Sequence, residues 1–534
     1  MRVLGINAVF HDPAAALVVD GRVVAAAEEE RFSRRKHGKR PVPFSTWELP
    51  ELSARWCLEH AGLTPGDLDA VAYSYDPSLV DDDYAPWEAV RTMYAMRAPQ
   101  FLASALPGLD PEIFRYVPHH VAHAASTGLA APFGGTCAVL VADGRGECGS
   151  YLAGRYVDQS LTTFATQRLP HSLGLLYEEL TEHLGFLRSS DEYKVMALAS
   201  HAEPVHLELM RQHIFADGNG GFQVRPIDWN TLAKQRAPED EMTREHAELA
   251  ASVQVRVEEV LLNLVRWLHR TTGERRLTLA GGVALNCVAN TRIFAEGPFD
   301  EVWVQPAAGD AGTALGAALH VAVQQEPVSP MPGPDLGRGF SDDEIESVLR
   351  TAAVPYEKPA DVAVEVAEAL AGNKIVAWFQ GRSEYGPRAL GRRSLLANPC
   401  YPENLTRLND VKGREQFRPI APMVLEERAA DLFTRGPIPS PYMLFVHDVR
   451  PEWRERIPAV VHVDGTARVQ TVADDPLLER MLREFDVRTG VPVVVNTSLN
   501  TAGRPMVDSP RDALECFGSA PVDLLAIGPF VVRR

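Results

Sequence analysis

The stretch that decides the fold is MRVLGINAVFHDPAAALVVDGRVVAAA, residues 1–27. It reads as three short strands: VLGIN, then AAALVV, then RVVAAA after a turn at Asp20-Gly21. A polar loop, AVFHDP, joins the first two, and the Asp-Gly pair is the residue choice of a tight hairpin. The pattern returns after residue 135. There TCAVLVAD is a strand, GRGE a polar loop, CGSYLAGRYV a second strand and LTTFATQ a third. Helical periodicity follows each set, at 170–187 and around 245–272 in the second case. Two strand-loop-strand-strand units, each followed by helices, predict an internally duplicated α/β architecture.

RRLTLAGGVALNCVANTRI then gives a buried strand, a Gly-Gly turn and a helix start. The Pro/Gly-rich run QEPVSPMPGPDLGRG predicts a linker over 326–340, separating a first domain at 1–325 from a second α/β domain at 341–534. In the second, VAVEVAEALAGNKIVAWFQG reads as a helix feeding a strand, and VPVVVNTSLN as a later strand.

At 534 residues the chain has room for two or more cores, and 46% apolar with 23% charged residues is ordinary globular composition. No run is long and apolar enough to span a bilayer, and the N-terminus lacks a signal-peptide layout. Six scattered cysteines without a CxxC pair suit reduced thiols, so a cytoplasmic location is expected. A net charge of −18 argues against nucleic acid as a partner.

The chemistry-bearing positions are few. His119 and His123 in VPHHVAHAAS lie one helical turn apart and so share a face. Asp143 in ADGRGE and Asp310 in GDAGTALG sit on later loops, and the four together form a mixed N/O set that suits zinc or iron. Each half has a plain alternative: surface histidines for the pair, an N-cap for Asp310. His11, on the first loop, could take a proton from an attacking hydroxyl or merely cap a turn with Asp12. The basic run RRKHGKR at 34–40 could bring Lys36 to a phosphate. Gly281, Gly282 and Gly312, on glycine-bearing turns into helices, and the polar Asn286 mark candidate nucleotide contacts. In the second domain Arg388, Lys412, Arg414, Arg418, Arg468 and Arg504 all stand beside turn residues. Asn496, Ser498 and Asn500 add neutral hydrogen-bonding groups, so an anion pocket is expected.

In this order the motifs resemble the O-carbamoyltransferases of antibiotic and nodulation-factor biosynthesis, the NodU/CmcH/TobZ type. The matching strings are GINAVFHDPAAALVVDG, AAAEEERFSRRKHGKRPVP, HHVAHAAS, PHSLGLLYEELTEHLGF, DEYKVMALAS, LAGGVALN, GDAGTALGAA, GPRALGRRSLLANP, FRPIAPMV and VNTSLNTAGRPMV, covering residues 5 to about 507. One departure is Pro13-Ala14, where such proteins often carry serines. The resemblance implies a duplicated actin-like (ASKHA) N-terminal domain similar to the threonylcarbamoyl-transfer subunit of tRNA modification, and a YrdC-like α/β C-terminal domain. It implies ATP, Mg2+ and carbamoyl phosphate as cofactor and co-substrates, Fe(II) or a similar divalent metal on His119, His123, Asp143 and Asp310, and His11 as general base. Lys36, Lys194 (in DEYKVMALAS), Gly281, Gly282, Asn286 and Gly312 would serve the nucleotide. Arg388, Lys412, Arg418, Arg468, Asn496 and Arg504 would serve carbamoyl phosphate and ATP in the second domain. The implied acceptor is a hydroxyl of a small-molecule natural product. Competing expectations are a tRNA threonylcarbamoyl-transfer enzyme, a sugar-kinase-like phosphotransferase giving ADP, and a nucleotide-binding regulator without turnover.

Overall fold

The computed structural model describes residues 1–38, 48–80, 86–501 and 503–534. The end of the basic run, Lys39 and Arg40, and Ala502 of the NTAGRP loop lie outside the described residues. Two compact units are present, Met1–Pro334 and Asp335–Arg534. No helix among the described residues is long and apolar enough to cross a membrane.

In the first unit β1 (Arg2–Asn7), β2 (Ala14–Val19) and β3 (Arg22–Glu28) form the antiparallel set read from the opening residues. β1 pairs with β2 from Arg2↔Val19 to Asn7↔Ala14. β4 (Ala70–Tyr73) adds parallel to β1, and β5 (Phe114–Tyr116) adds parallel to β4. These strands carry almost unbroken apolar runs because helices cover both faces of the sheet.

The second half repeats the arrangement. β6 (Cys137–Ala142), β7 (Gly149–Val157) and β8 (Ser160–Arg168) are antiparallel neighbours. A small hairpin, β9 (Ile214–Ala216) and β10 (Phe222–Val224), is inserted after them. β11 (Arg276–Ala280) then adds parallel to β6, and β12 (Glu301–Val304) parallel to β11. The sheet orders β3-β2-β1-β4-β5 and β8-β7-β6-β11-β12 match position for position. The duplicated α/β class expected from residues 1–27 and 136–167 is therefore the class observed.

Two helices cross between these sheets, His119–Gly128 and Ala311–Ala322. They are rich in Ala and Gly, and the reason is spatial. A Cβ on Gly316 would stand 1.8 Å from the Ala122 carbonyl oxygen, so any larger residue would force the helices apart. Their close approach sets the distance between the histidines on one helix and Asp310 at the head of the other.

The second unit is built on a seven-stranded mixed sheet. Its strands in chain order are β13 (Val376–Phe379), β14 (Arg393–Ala397), β15 (Ala421–Leu425), β19 (Gln470–Val472), β20 (Val493–Ser498), β21 (Leu524–Ile527) and β22 (Phe530–Arg533). The short strands β16 (Phe433–Thr434), β17 (His447–Val449) and β18 (Thr466–Ala467) make a separate three-stranded sheet. The seven-stranded order is β19-β15-β20-β14-β13-β21-β22. β20 lies between β14 and β15, antiparallel to both, and begins in the core at Val493–Val495. Its far end turns polar at Asn496 and Ser498.

Candidate functional site

The His119–Gly128 helix starts straight after Pro118 and presents His119 and His123 on one face, their rings 4.7 Å apart and nearly perpendicular. Both side chains are fully buried. Their Nε2 atoms face two carboxylates. His119 Nε2 lies 3.3 Å from Asp143 Oδ2 and 3.6 Å from Asp310 Oδ1. His123 Nε2 lies 3.7 Å and 3.5 Å from the same two oxygens. Four ligand atoms bonded about 2.1 Å from a shared centre in a tetrahedron would sit about 3.4 Å from one another. The side chains are thus already spaced for an ion.

Hydrogen bonding leaves the inward atoms for that purpose. His119 Nδ1 lies 3.1 Å from the Ser74 carbonyl oxygen, which assigns the proton to Nδ1 and leaves the Nε2 lone pair facing inward. Asp143 Oδ1 accepts the Gly282 N–H at 2.9 Å, and Oδ2 turns to the histidines. His119 Nε2, His123 Nε2 and Asp310 Oδ1 are buried and meet no hydrogen-bond partner. Buried polar atoms are otherwise almost always paired, so their convergence fits a cation. Asp310 heads its helix but makes no capping bond to it, so the N-cap alternative does not describe its side chain.

The electrostatics agree. Burial pushes the Asp143 carboxyl up, but the facing imidazoles of His119 and His123 outweigh it and hold the group well below the usual carboxylate range. Burial pulls His119 down, but the Asp310 and Asp143 carboxylates raise it well above the usual histidine value. The cluster therefore holds positive charge strongly, as a proton or as a metal. His120, the third histidine of the run, is pulled down to about 3 by burial and by His119.

His11 stands at the edge of this cluster, with Nε2 3.7 Å from Asp310 Oδ2 and Nδ1 2.9 Å from Asp12 Oδ2. Asp12 adopts φ +50°, a conformation costly for a residue with a side chain. Asn7 holds the turn by donating from Nδ2 to the carbonyl oxygens of His11 and Asp12, each at 2.9 Å. The other Asp12 oxygen lies 2.6 Å from His37 Nδ1, and the His37 N–H donates to Glu30 Oε2 at 2.8 Å. Asp12, Glu30 and His37 form a second compact group of metal-capable donors. Their mutual hydrogen bonds make them a chain that fixes His11.

Among the described residues of the basic run, the His37 side chain is joined to the His11 loop through Asp12; Lys36 precedes it, half-buried, in the same short turn. Lys194 pairs with Asp191 at 3.1 Å over the Phe186 ring. Gly281 turns the chain at φ +90° against Ala142, and the Gly282 N–H is given to Asp143. Asn286 caps the Cys287–Glu296 helix through Ala289 and exchanges amide hydrogen bonds with Gln254. Gly312 is buried in the first turn after Asp310.

In the second unit the predicted positions gather around the polar end of β20. Lys412 Nζ donates to the Ser498 carbonyl and hydroxyl oxygens at 2.6 and 2.8 Å and to Asn500 Oδ1 at 2.5 Å. Asn496 Nδ2 donates to the Ala389 carbonyl and Gln470 Oε1, and Gln470 Nε2 to the Leu390 carbonyl. These bonds pin the Arg388 loop and the Arg468 segment to β20. Arg388 and Arg468 are half-buried, and Arg418, just before β15, pairs with Glu415 at 3.5 Å. Arg504 is exposed, and its carbonyl oxygen accepts from Asn500 Nδ2.

Several organising residues were not read from the sequence. Glu384 Oε1 accepts the N–H groups of Leu390, Arg392 and Arg393 and shapes the loop beyond Arg388. Gln470, His37 and Glu147 are the others. Asp12 had a visible signal, its place beside His11. The rest depend on contacts across the chain.

The Carbamoyltransferase N-terminus family model matches residues 2–114 and 109–319, and the Carbamoyltransferase C-terminus model matches 367–534. Nodulation protein NolNO of Sinorhizobium fredii is 37% identical over 99% of this chain and 80% of its own length. Nodulation protein U of Rhizobium tropici is 32% identical over 94% of this chain and 92% of its own. An uncharacterized protein of Synechocystis sp., sll1178, is 37% identical over all of this chain and 96% of its own. Among solved structures, the ROK hexokinase of Thermus thermophilus matches with TM-score 0.30 and 17% identity, covering 60% of this chain and all of that one. HypF of T. kodakarensis matches with TM-score 0.33 and 14% identity, covering 60% of this chain and 48% of that one. At these TM-scores the two structures add nothing to the assignment. The sequence matches span both units, and the chain belongs to the carbamoyltransferase family as a carbamoyltransferase enzyme.

Proposed function

We propose that the chain is an ATP-dependent O-carbamoyltransferase that makes carbamoyl-adenylate and passes its carbamoyl group to a hydroxyl of a small-molecule natural product. The observation that carries this reading is the pairing, in one carbamoyltransferase chain, of basic residues gathered near the polar end of β20 with a buried His/Asp cluster flanked by His11. In the second unit, water cleaves carbamoyl phosphate to carbamate and phosphate. A carbamate oxygen then attacks the α-phosphorus of ATP and displaces pyrophosphate. Arg388, Arg418, Arg468 and Lys412 supply positive charge to these anions, and Asn496 holds the loops that carry them. Mg2+ would accompany the ATP phosphates.

In the first unit the acceptor oxygen attacks the carbamoyl carbon, its proton passes to His11 Nε2, and AMP leaves. Asp12 keeps the proton on His11 Nδ1, so that Nε2 is the accepting atom. His119, His123, Asp143 and Asp310 would hold Fe(II) or a similar divalent ion, which when bound stabilises negative charge on the carbonyl oxygen as a Lewis acid. Lys36, Lys194 and the glycine turns at Gly281, Gly282 and Gly312 are the nucleotide-side candidates. The −18 charge supports a small-molecule acceptor over tRNA. The six cysteines, scattered without a CxxC pair, support a reducing, cytoplasmic setting.

The test is product analysis with ATP and carbamoyl phosphate. AMP and pyrophosphate that require carbamoyl phosphate, and that disappear in Arg418→Ala, support the reading. ADP as the nucleotide product overturns it in favour of phosphotransfer.

A further inference from the structure

We propose that Glu147 is a positioning residue that sets the spacing of the metal-capable cluster, standing in for the cap that its histidine helix lacks. The inference rests on reading that cluster as a metal site. The His119–Gly128 helix has Pro118 at its N-cap position, and no side chain there bonds to the first turn. Its first free N–H, that of His119, instead donates to Glu147 Oε1 at 2.9 Å. The same oxygen accepts the Asp76 N–H at 2.8 Å.

Glu147 lies four residues beyond Asp143 on the loop between β6 and β7. That loop is closed by the Asp143 N–H on the Ser150 carbonyl and the Gly146 N–H on the Gly149 carbonyl. Asp76 lies two residues beyond Ser74, whose carbonyl fixes the His119 ring. One carboxylate oxygen therefore ties together the backbone that starts the histidine helix, the segment that orients His119, and the loop that carries Asp143. A carboxylate at a helix N-terminus is favoured by the helix dipole, and its charge strengthens both bonds. Truncating it leaves two N–H groups without their acceptor and frees the Asp143 loop from the histidine helix.

The experiment measures Zn2+ affinity of the purified full chain by competition with a chromophoric chelator, alongside the melting temperature of the metal-free protein. Four proteins are compared: wild type, Glu147→Gln, Glu147→Asp and Glu147→Ala. Glutamine keeps an oxygen at the same reach and is expected to bind within about threefold of wild type. Alanine is expected to weaken binding about 10- to 100-fold, the usual effect of losing a residue that orients metal ligands. Aspartate, one methylene short, falls between them and serves as the graded variant should alanine fold poorly. Equal Zn2+ affinity in wild type, aspartate and alanine variants overturns the role of Glu147 alone. A wild-type protein that binds no Zn2+ overturns the metal reading, and this proposal with it.

Discussion

Two loops occupy the same place in the two halves of the first unit. Loop 8–13 joins β1 to β2, loop 143–148 joins β6 to β7, and both reach the His/Asp cluster. They differ in exposure. Asp143 is 5% exposed and faces two histidines, whereas the His11 side chain is 24% exposed and stands at the rim. The contrast suits two tasks. A metal ligand must be buried and held ionised, while a base must be reached by an incoming hydroxyl. The repeated arrangement places equivalent loops at the cluster, and their depth would separate the two proposed roles.

The largest expected effect comes from the residue both loops face. Asp310→Asn removes a charge shared by His119, His123 and His11. Metal content should fall to background and carbamoyl transfer by about 10²- to 10³-fold. Transfer at the wild-type rate would detach the cluster from the chemistry. Next, Asp12→Asn should lower kcat about 10²-fold with acceptor KM within about threefold, because it misplaces the His11 proton without removing a contact to the acceptor. Intact metal binding in that variant would keep the loops' roles separate; a parallel loss of metal would merge them.

The first hairpin also carries a liability at its end. Burial pushes the Glu29 carboxyl up to about 7, although it accepts the Leu52 and Ser53 N–H groups of the Glu51–His60 helix. A folded value above the unfolded one of about 4.5 means that the folded state holds this proton between those pH values. Stability from this group is full below about pH 4.5 and declines as pH rises toward and past 7, by roughly 3 kcal/mol in all. Glu29→Gln should therefore lose less melting temperature between pH 5 and 8 than wild type. Identical slopes would contradict the burial argument. The smallest effect is expected at Asn286→Ala, a loss of about 1 kcal/mol from its helix cap. Transfer should stay within about twofold, and a large rise in the KM for ATP would show a nucleotide contact instead.

Much of this was legible in the sequence because it is local. The strand patterns of residues 1–27 and 136–167 repeat, and His119 with His123 follows the helical turn. What stayed hidden is set by distance along the chain. Glu147 meets His119 across 28 residues, His37 meets Asp12 across 25, and Asn496 pins the Arg388 loop across 107. No periodicity encodes such pairs. Asn286 shows a different case. Its polarity in an apolar run suggested a ligand, and in the fold its amide also serves a helix end and Gln254.

The division of labour between the units is tested most directly by one variant, His119→Ala, assayed for both partial reactions. Carbamoyl-phosphate-dependent pyrophosphate release should continue near the wild-type rate, while transfer to an accepting alcohol falls at least about 10²-fold. Equal loss of pyrophosphate release and transfer would contradict the account, because both steps would then depend on the cluster in the first unit.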